Sequence, residues 1–259
     1  MPSRRLARWQ RTLQSSHSGD PGTGPALPVE ARGFSQGEAG LDSHPKAHAA
    51  GATGTADFDK PEVGVGPHSQ PWPTGNNYDQ VLLAEGDRRN VVDEYRYWSR
   101  EAIIADLDTH RHKFHVAIEN WEHDFNIGTV VRNANAFLAG AVHIVGKKRW
   151  NRRGAMVTDR YQHVHHHGDF GAFAAWAASA QLPIIGIDNI EGSVPIESAT
   201  LPEACILLFG QEGPGLTEHA QSVVEMTCAI TQYGSTRSMN AGVASGIAMY
   251  AWASQHLGD

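Results

Sequence analysis

The chain has 259 residues, with 28 acidic against 21 basic side chains and a net charge of −7. That length holds one domain of ordinary size plus extra sequence. The lack of any apolar run of about 18 residues excludes a helical membrane span, and two cysteines exclude a disulfide framework.

Residues 1–76 are rich in Gly, Pro, Ser, His and Ala and poor in large apolar side chains. Such a segment buries too little apolar surface to offset its conformational entropy, which predicts a disordered tail. Met1 to Arg11 carries four arginines and no apolar run, so it does not read as a secretory signal. The tail holds 7 basic and 7 acidic residues, so the remainder carries the whole acidic excess. A nucleic-acid binder of that balance must gather its positive charge locally. Lys147, Lys148, Arg149, Arg152 and Arg153 do so, five basic residues within seven, with Trp150 among them. A solvated loop is the competing reading. Cys205 and Cys228 sit in apolar runs and read as small buried hydrophobes of a reduced, cytoplasmic protein.

In chain order, Val91 to Asp108 predicts a helix within a helical extension over 77–112. From Lys113 onward, strand and helix patterns alternate. Phe114–Ile118 reads as a strand, and Asn126–Ala139 as a helix ending at Gly140, a residue suited to a helix C-cap. Val142–Gly146 is a second strand and Phe170–Ala180 an alanine-rich helix. Leu182–Asp188, Ala204–Phe209 and Met226–Thr231 are three further short apolar runs, and Asn240–Gln255 is a long apolar helix. This alternation predicts an α/β fold with a mainly parallel sheet and helices on both faces, where ligands bind beyond the carboxyl ends of the strands.

Three segments carry the chemistry. Phe209-Gly-Gln-Glu-Gly-Pro-Gly215 has neither the glycine order of a dinucleotide fingerprint nor the Lys-Ser/Thr of a P-loop. Its glycines let a ligand approach bare backbone, and Glu212 could accept hydrogen bonds from the loop or a substrate; an ordinary strand-to-loop turn stands beside that reading. Ser238-Met-Asn240 precedes the last helix, where Ser238 or Asn240 suits an N-cap. The small residues Ala241, Gly242, Ala244, Ser245 and Gly246 would let that helix approach a neighbour closely. Asn126 and Arg132 lie six residues apart at the start of an almost uncharged helix, and Arg132 calls for a phosphate or carboxylate partner unless its head is simply solvated. His163-Val-His-His-His167 invites a metal, but no Cys or carboxylate set at zinc-type spacing accompanies it. It reads as a histidine-rich strand end and loop, with no metal assigned.

In order and spacing, these segments resemble the three motifs of the SpoU/TrmH branch of the SPOUT methyltransferases: Asn126 through Arg132 to Ala136, Phe209 to Leu216, and Ser238 to Ala244. The resemblance runs from about Phe114 to Gln255, within a methyltransferase domain placed at 113–259. It implies a deep trefoil knot, an obligate homodimer, and S-adenosyl-L-methionine (SAM) held bent against the backbone of Ile187, Gly210, Ile230 and Met239. It also implies methyl transfer to a ribose 2′-hydroxyl of RNA. Arg132 matches the family's catalytic arginine, acting across the dimer, while Asn126, Glu212, Ser238 and Asn240 match residues that shape the active site. Thr231 stands where the family commonly has proline, and Ala241-Gly242 where it has Val-Ser. Gln232 to Asn240 together with Leu208 to Glu212 looks most like enzymes that methylate a tRNA D-loop guanosine; ribosomal RNA methylases share the core. A SAM- or RNA-binding dimer without catalysis and a Rossmann-type nucleotide enzyme are the rival classes.

Overall fold

The computed structural model describes residues 64–121 and 126–258. The tail expected over 1–76 lies outside the described residues as far as residue 63. Residues 64–76 are tied into the segment that follows: Val65 bridges Asp87, His68 N–H donates to the Leu83 carbonyl, and the Tyr97 hydroxyl donates to the Gly66 carbonyl.

Seven parallel strands form one sheet: β1 (His115–Asn120), β2 (Val142–Gly146), β3 (Val164–His167), β4 (Ile184–Ile187), β5 (Val194–Pro195), β6 (Ile206–Phe209) and β7 (Met226–Ala229), in the order β3-β2-β1-β6-β4-β7-β5. Strands β2, β4 and β6 are buried along their whole length, which is why they are near-continuous apolar runs rather than alternating ones.

The described helices are α1 (Gln80–Glu85), α2 (Arg100–Asp108), α3 (Ile127–Ala136), α4 (Phe170–Ser179), α5 (Glu218–Gln221) and α6 (Ala241–His256). Successive strand residues feed two cores. Val116, Ile118, Leu207 and Phe209 pack with Ile127, Val130 and Val131 of α3 and with Trp252 of α6. Ala117, Ile206 and Leu208 pack with Phe170, Phe173 and Ala177 of α4 and with Ala220 of α5. The expectation of a mainly parallel α/β sheet with helices on both faces holds.

Two local expectations are corrected. The helix expected over Val91–Asp108 is a 3-10 turn at Asp93–Tyr95 followed by α2, which starts only after Ser99, whose hydroxyl accepts the Ala102 N–H. The break is tertiary: buried Asp87 receives the Tyr97 N–H at 3.0 Å and a bidentate contact from Arg89, and Tyr97 takes φ +64°. Nor does α3 end on Gly140. Its C-cap is Phe137, Leu138 takes the left-handed conformation at φ +55°, and Gly140 donates its N–H to the Phe114 carbonyl. A Cβ on Gly140 would fall 2.8 Å from His115 Nε2, so glycine serves close packing there.

The histidine-rich segment is the edge strand β3. His115, His143 and His167 form a line of imidazoles across β1, β2 and β3, linked Nδ1 to Nε2 at 2.9 Å and again at 2.9 Å, with Trp176 and Phe173 of α4 packed on them. Burial, helped by the neighbouring histidines, pushes the pKa of His143 down to about 2 and that of His115 to about 4; burial lowers His167 as well. The unfolded chain therefore takes up protons here below 6.5 while the folded chain does not. Stability is fully present above 6.5 and falls as pH drops toward 4, by at most about 1.4 kcal/mol per pH unit for each such histidine. Melting temperature should fall through that window, and His143→Gln should flatten the dependence. A wild-type melting temperature indifferent to pH there would show that the line is not held neutral.

Cys205 and Cys228 are free, buried thiols, and burial raises both pKa values, Cys205 to about 12. Neither behaves as a reactive thiolate.

Candidate active site at the carboxyl ends of the strands

A cleft opens beyond the carboxyl ends of β4, β6 and β7, between three segments: Ile187–Asn189, Phe209–Gly215, and Ile230 onward through Ser238–Ala241 to Ala244. Ile187, Gly210, Ile230 and Met239, expected to hold a cofactor, all line it, as do Glu212, Ser238 and Asn240.

The glycine-rich segment is folded into a tight loop. Gln211 and Gly215 exchange two backbone hydrogen bonds, at 3.2 and 3.0 Å, and Gly213 and Gly215 take φ +97° and +73°. A Cβ on Gly210 would lie 2.1 Å from the Gly215 carbonyl carbon, so the loop closes only without one. Two carboxylates that motif reading did not single out hold this loop. Asp188 accepts the Leu216 N–H at 2.7 Å, and buried Glu119 accepts the Thr217 N–H at 3.0 Å and the Thr217 hydroxyl at 2.7 Å. Each lies at the carboxyl end of an apolar strand, a signal the sequence does carry.

Asn126, Glu212 and Asn240 meet at the cleft. Asn126 Nδ2 donates to Glu212 Oε2 at 2.6 Å, and Asn240 Nδ2 donates to Asn126 Oδ1 at 2.8 Å. Asn240 Oδ1 caps α6 by accepting the Gly242 and Val243 N–H groups. Capping and site-building are thus one role for Asn240, and Ser238 is not the cap. Ser238 is exposed at the rim, its carbonyl accepting from the Thr236 hydroxyl.

Arg132 is exposed on α3 and does not line the cleft of its own chain. Among the described residues it makes no hydrogen bond or ion pair. Its helix is rigidly seated. Asn133 Nδ2 donates to the Gly242 carbonyl and the Ser245 hydroxyl of α6, and Gly128 sits against Gly154. The small residues of α6 do permit close approach, since a Cβ on Gly242 would lie 2.8 Å from Thr129 Cγ2. Thr231 keeps an N–H that proline would lack, and donates it, with its hydroxyl, to Glu197.

Lys147, Lys148, Arg149, Arg152 and Arg153 are all exposed on the loop leaving β2. Asn120 Nδ2 donates to the Lys147 and Arg149 carbonyls at 2.7 and 3.0 Å, pinning the backbone while the side chains stay outward. Arg152 pairs with Asp159 at 3.2 Å and lies over the Trp150 ring. The turn Arg153–Ala155 then packs on the start of α3.

A parallel α/β sheet with a polar cluster and a glycine loop at its switch point defines a small-ligand site of the open-sheet class. The family model for the SpoU rRNA Methylase family matches residues 113–250, and the chain belongs to that family. Among curated proteins it is similar to the tRNA (guanosine(18)-2′-O)-methyltransferase of Escherichia coli K12, 23% identical over 138 residues, 52% of this chain and 60% of the relative. The chain thus spans about 60% of the length of that relative. Among solved structures it is similar to the SpoU methyltransferase AviRb from Streptomyces viridochromogenes in complex with AdoMet, at TM-score 0.53 and 21% identity over 59% of this chain and 62% of that one. A chain solved for structural insights into the 2-OH methylation of C/U34 on tRNA matches at TM-score 0.51 and 27% identity, over 57% of this chain and 99% of that one.

Proposed function

We propose that the chain is a SAM-dependent RNA (ribose-2′-O)-methyltransferase acting as a homodimer on a guanosine of tRNA, with the C-terminal loops tied in a deep trefoil knot. The observation that carries this reading is the junction of Asn126, Glu212 and Asn240, three residues from three distant motif segments, at the mouth of a cleft lined by Ile187, Gly210, Ile230 and Met239. The cleft suits SAM. Ile187, Phe209, Ile230 and Ala244 offer an apolar slot, and Asp188 and Glu212 offer negative charge for a cationic ligand. SAM supplies an electrophilic methyl group that passes from sulfonium to a nucleophilic oxygen.

The protein's task is to present a 2′-hydroxyl in line and let its proton leave. A guanidinium with pKa above about 12 is a poor base at neutral pH. Arg132 instead grips the phosphate beside the reacting ribose and orients the hydroxyl, whose proton passes to that phosphate or to water. Because Arg132 lies outside its own cleft, it would serve the partner's.

The dimer reading rests on α6. Val243, Ile247 and Tyr250 recur at helical spacing, 56%, 36% and 66% exposed, an apolar stripe on the helix packed beside the one carrying Arg132. The double substitution Val243→Glu, Ile247→Glu should yield a monomer by light scattering that has lost methyl transfer. A double variant that stays dimeric would place the interface elsewhere.

The RNA grip falls to the basic loop 147–153 and to the 77–112 extension. The tRNA assignment follows the relatives that act on tRNA; ribosomal RNA is the alternative within the family, and a SAM- or RNA-holding dimer without catalysis is the non-enzyme alternative. Mapping 2′-O-methyl sites in tRNA and rRNA from cells with and without the gene decides among them. Loss of one tRNA guanosine mark supports the proposal and loss of an rRNA mark moves the substrate. No lost mark, with no SAM binding by the purified protein, would sink it. No described helix is long and apolar enough to cross a membrane.

A further inference from the structure

We propose that the loop joining β7 to α6 grips the RNA substrate at the mouth of the cleft: the Tyr233 ring stacks on an unpaired base, and the Arg237 guanidinium pairs with a phosphate of the same strand. The inference rests on the RNA methyltransferase reading and adds to it the residues that meet a base at the cleft mouth. Tyr233 is 94% exposed, against 66% or less for the other exposed large apolar side chains described. A lone exposed aromatic means little by itself, and its place is what gives it meaning. Ile230 and Gln232 line the cleft just before it, and Ser238, Met239 and Asn240 line it just after Arg237. The tip between them, Tyr233 to Arg237, is exposed throughout and so stands at the rim.

The loop is fastened at both ends. Thr231 donates its N–H and hydroxyl to Glu197, the Arg237 carbonyl accepts from Asn189 Nδ2 at 3.2 Å, and the Thr236 hydroxyl donates to the Ser238 carbonyl at 2.8 Å. Asn189 itself lines the cleft, so this tie sets the tip relative to the cofactor pocket. Tyrosine has two side-chain torsions, and ordering it on a base costs little entropy. The Arg237 guanidinium makes no hydrogen bond or ion pair among the described residues, which leaves it open to an anion. A ribose that enters the cleft takes its nucleotide out of the stack and leaves base faces open at the rim. Aromatic faces hold unstacked bases, and cationic side chains track the phosphates between them. The basic run 147–153 cannot supply the stack, because Trp150 is half-buried against the core with Arg152 over its ring. Tyr233 can.

The test is steady-state methyl transfer, at saturating SAM, to total RNA from cells lacking the gene, beside S-adenosylhomocysteine affinity by calorimetry and mass by light scattering. Tyr233→Ala should raise KM for RNA about tenfold or more, the scale of one lost base stack, with kcat within about twofold of wild type. Tyr233→Phe keeps the flat face and should stay within about twofold of wild type in both constants. Tyr233→Leu, apolar but not flat, should behave as the alanine variant does, which preserves the test if that variant does not fold. Arg237→Gln should lower kcat/KM for RNA and flatten its log–log salt dependence by about 0.7, one phosphate contact on a single strand, whereas Tyr233→Ala should leave the slope unchanged. Cofactor-product affinity and mass should stay at wild-type values in all of these variants. A wild-type KM in both Tyr233→Ala and Tyr233→Leu overturns the proposal, as does a Tyr233→Phe loss as large as that of alanine, which would assign the effect to the hydroxyl. Weakened S-adenosylhomocysteine binding would make the loop a cover for the cofactor, and a monomer would make Tyr233 a subunit contact; either overturns it too. An unchanged slope in Arg237→Gln removes the phosphate contact. Failure of wild-type protein to methylate any RNA would instead overturn the methyltransferase reading itself.

Discussion

Arg132→Ala should lower the rate of methyl transfer to tRNA by roughly 10²–10³-fold, the scale of losing a positioned cationic clamp, while S-adenosylhomocysteine affinity and melting temperature stay at wild-type values. The separation of effects follows from where the side chain lies. It is exposed and outside the cleft of its own chain, so its removal leaves no cavity and no orphaned partner among the described residues. Its helix is held by Asn133, Gly128 and a buried apolar face that the substitution does not touch. Arg132→Lys keeps the charge but not the planar fork and should recover only part of the rate. Mixing decides which cleft the guanidinium serves. Hybrids of Arg132→Ala with Glu212→Ala contain one intact cleft facing an intact arginine if the residue acts across the dimer, and activity should return on mixing two inactive proteins. Near wild-type turnover by Arg132→Ala would remove the residue from the mechanism, and silent hybrids would confine it to its own subunit.

Replacing Lys147, Lys148 and Arg149 together with glutamine should weaken RNA binding about 50-fold near physiological salt and flatten the log–log salt dependence by about 2, from roughly 0.7 per lost phosphate contact on single strands. The backbone of this loop is pinned from Asn120, so the substitutions remove charge and leave the loop path in place. Arg152 and Arg153 remain, and Arg152 is partly neutralised by Asp159, which is why the three residues ahead of it, without an ion pair among the described residues, are the ones to change. Binding measured between about 50 and 200 mM salt reads the slope directly. Lys113→Gln is the control, at the amino end of β1 and already paired with Glu203 at 3.2 Å. An unchanged slope in the triple variant would place the RNA elsewhere on the surface.

Much of the architecture is legible in the chain because short-range pattern and burial are linked. Val142–Gly146, Ala204–Phe209 and Met226–Thr231 read as strands, and the structure places β2, β6 and β7 within a residue or two of those bounds. Strands covered on both faces must be apolar throughout, and the helices between them must offer an apolar side. Where local pattern and tertiary demand diverge, the reading fails. Val91–Asp108 has helical periodicity, yet buried Asp87 draws the Tyr97 N–H to itself and breaks the run. Val194–Pro195 is too short to signal a strand and becomes one only by pairing with β7. The line of His115, His143 and His167 is invisible in a segment that shows only His163 to His167, because its other two members come from two neighbouring strands.

The candidate site divides the same way. Glycine at 210, 213 and 215 and a capping asparagine before an apolar helix are local requirements of backbone geometry, so residue type alone announces them. The contacts Asn126 makes with Glu212 and Asn240 span 86 and 114 residues. They exist only because β6 lies beside β1 in the sheet and α6 packs on α3. The loop-holding carboxylates Glu119 and Asp188 belong with these, since a carboxylate at a strand end becomes a fastening only when a distant N–H is brought to it. Local conformational preference is written residue by residue, whereas hydrogen-bond partnership depends on which strands become neighbours, and that is decided by burial of the whole sheet.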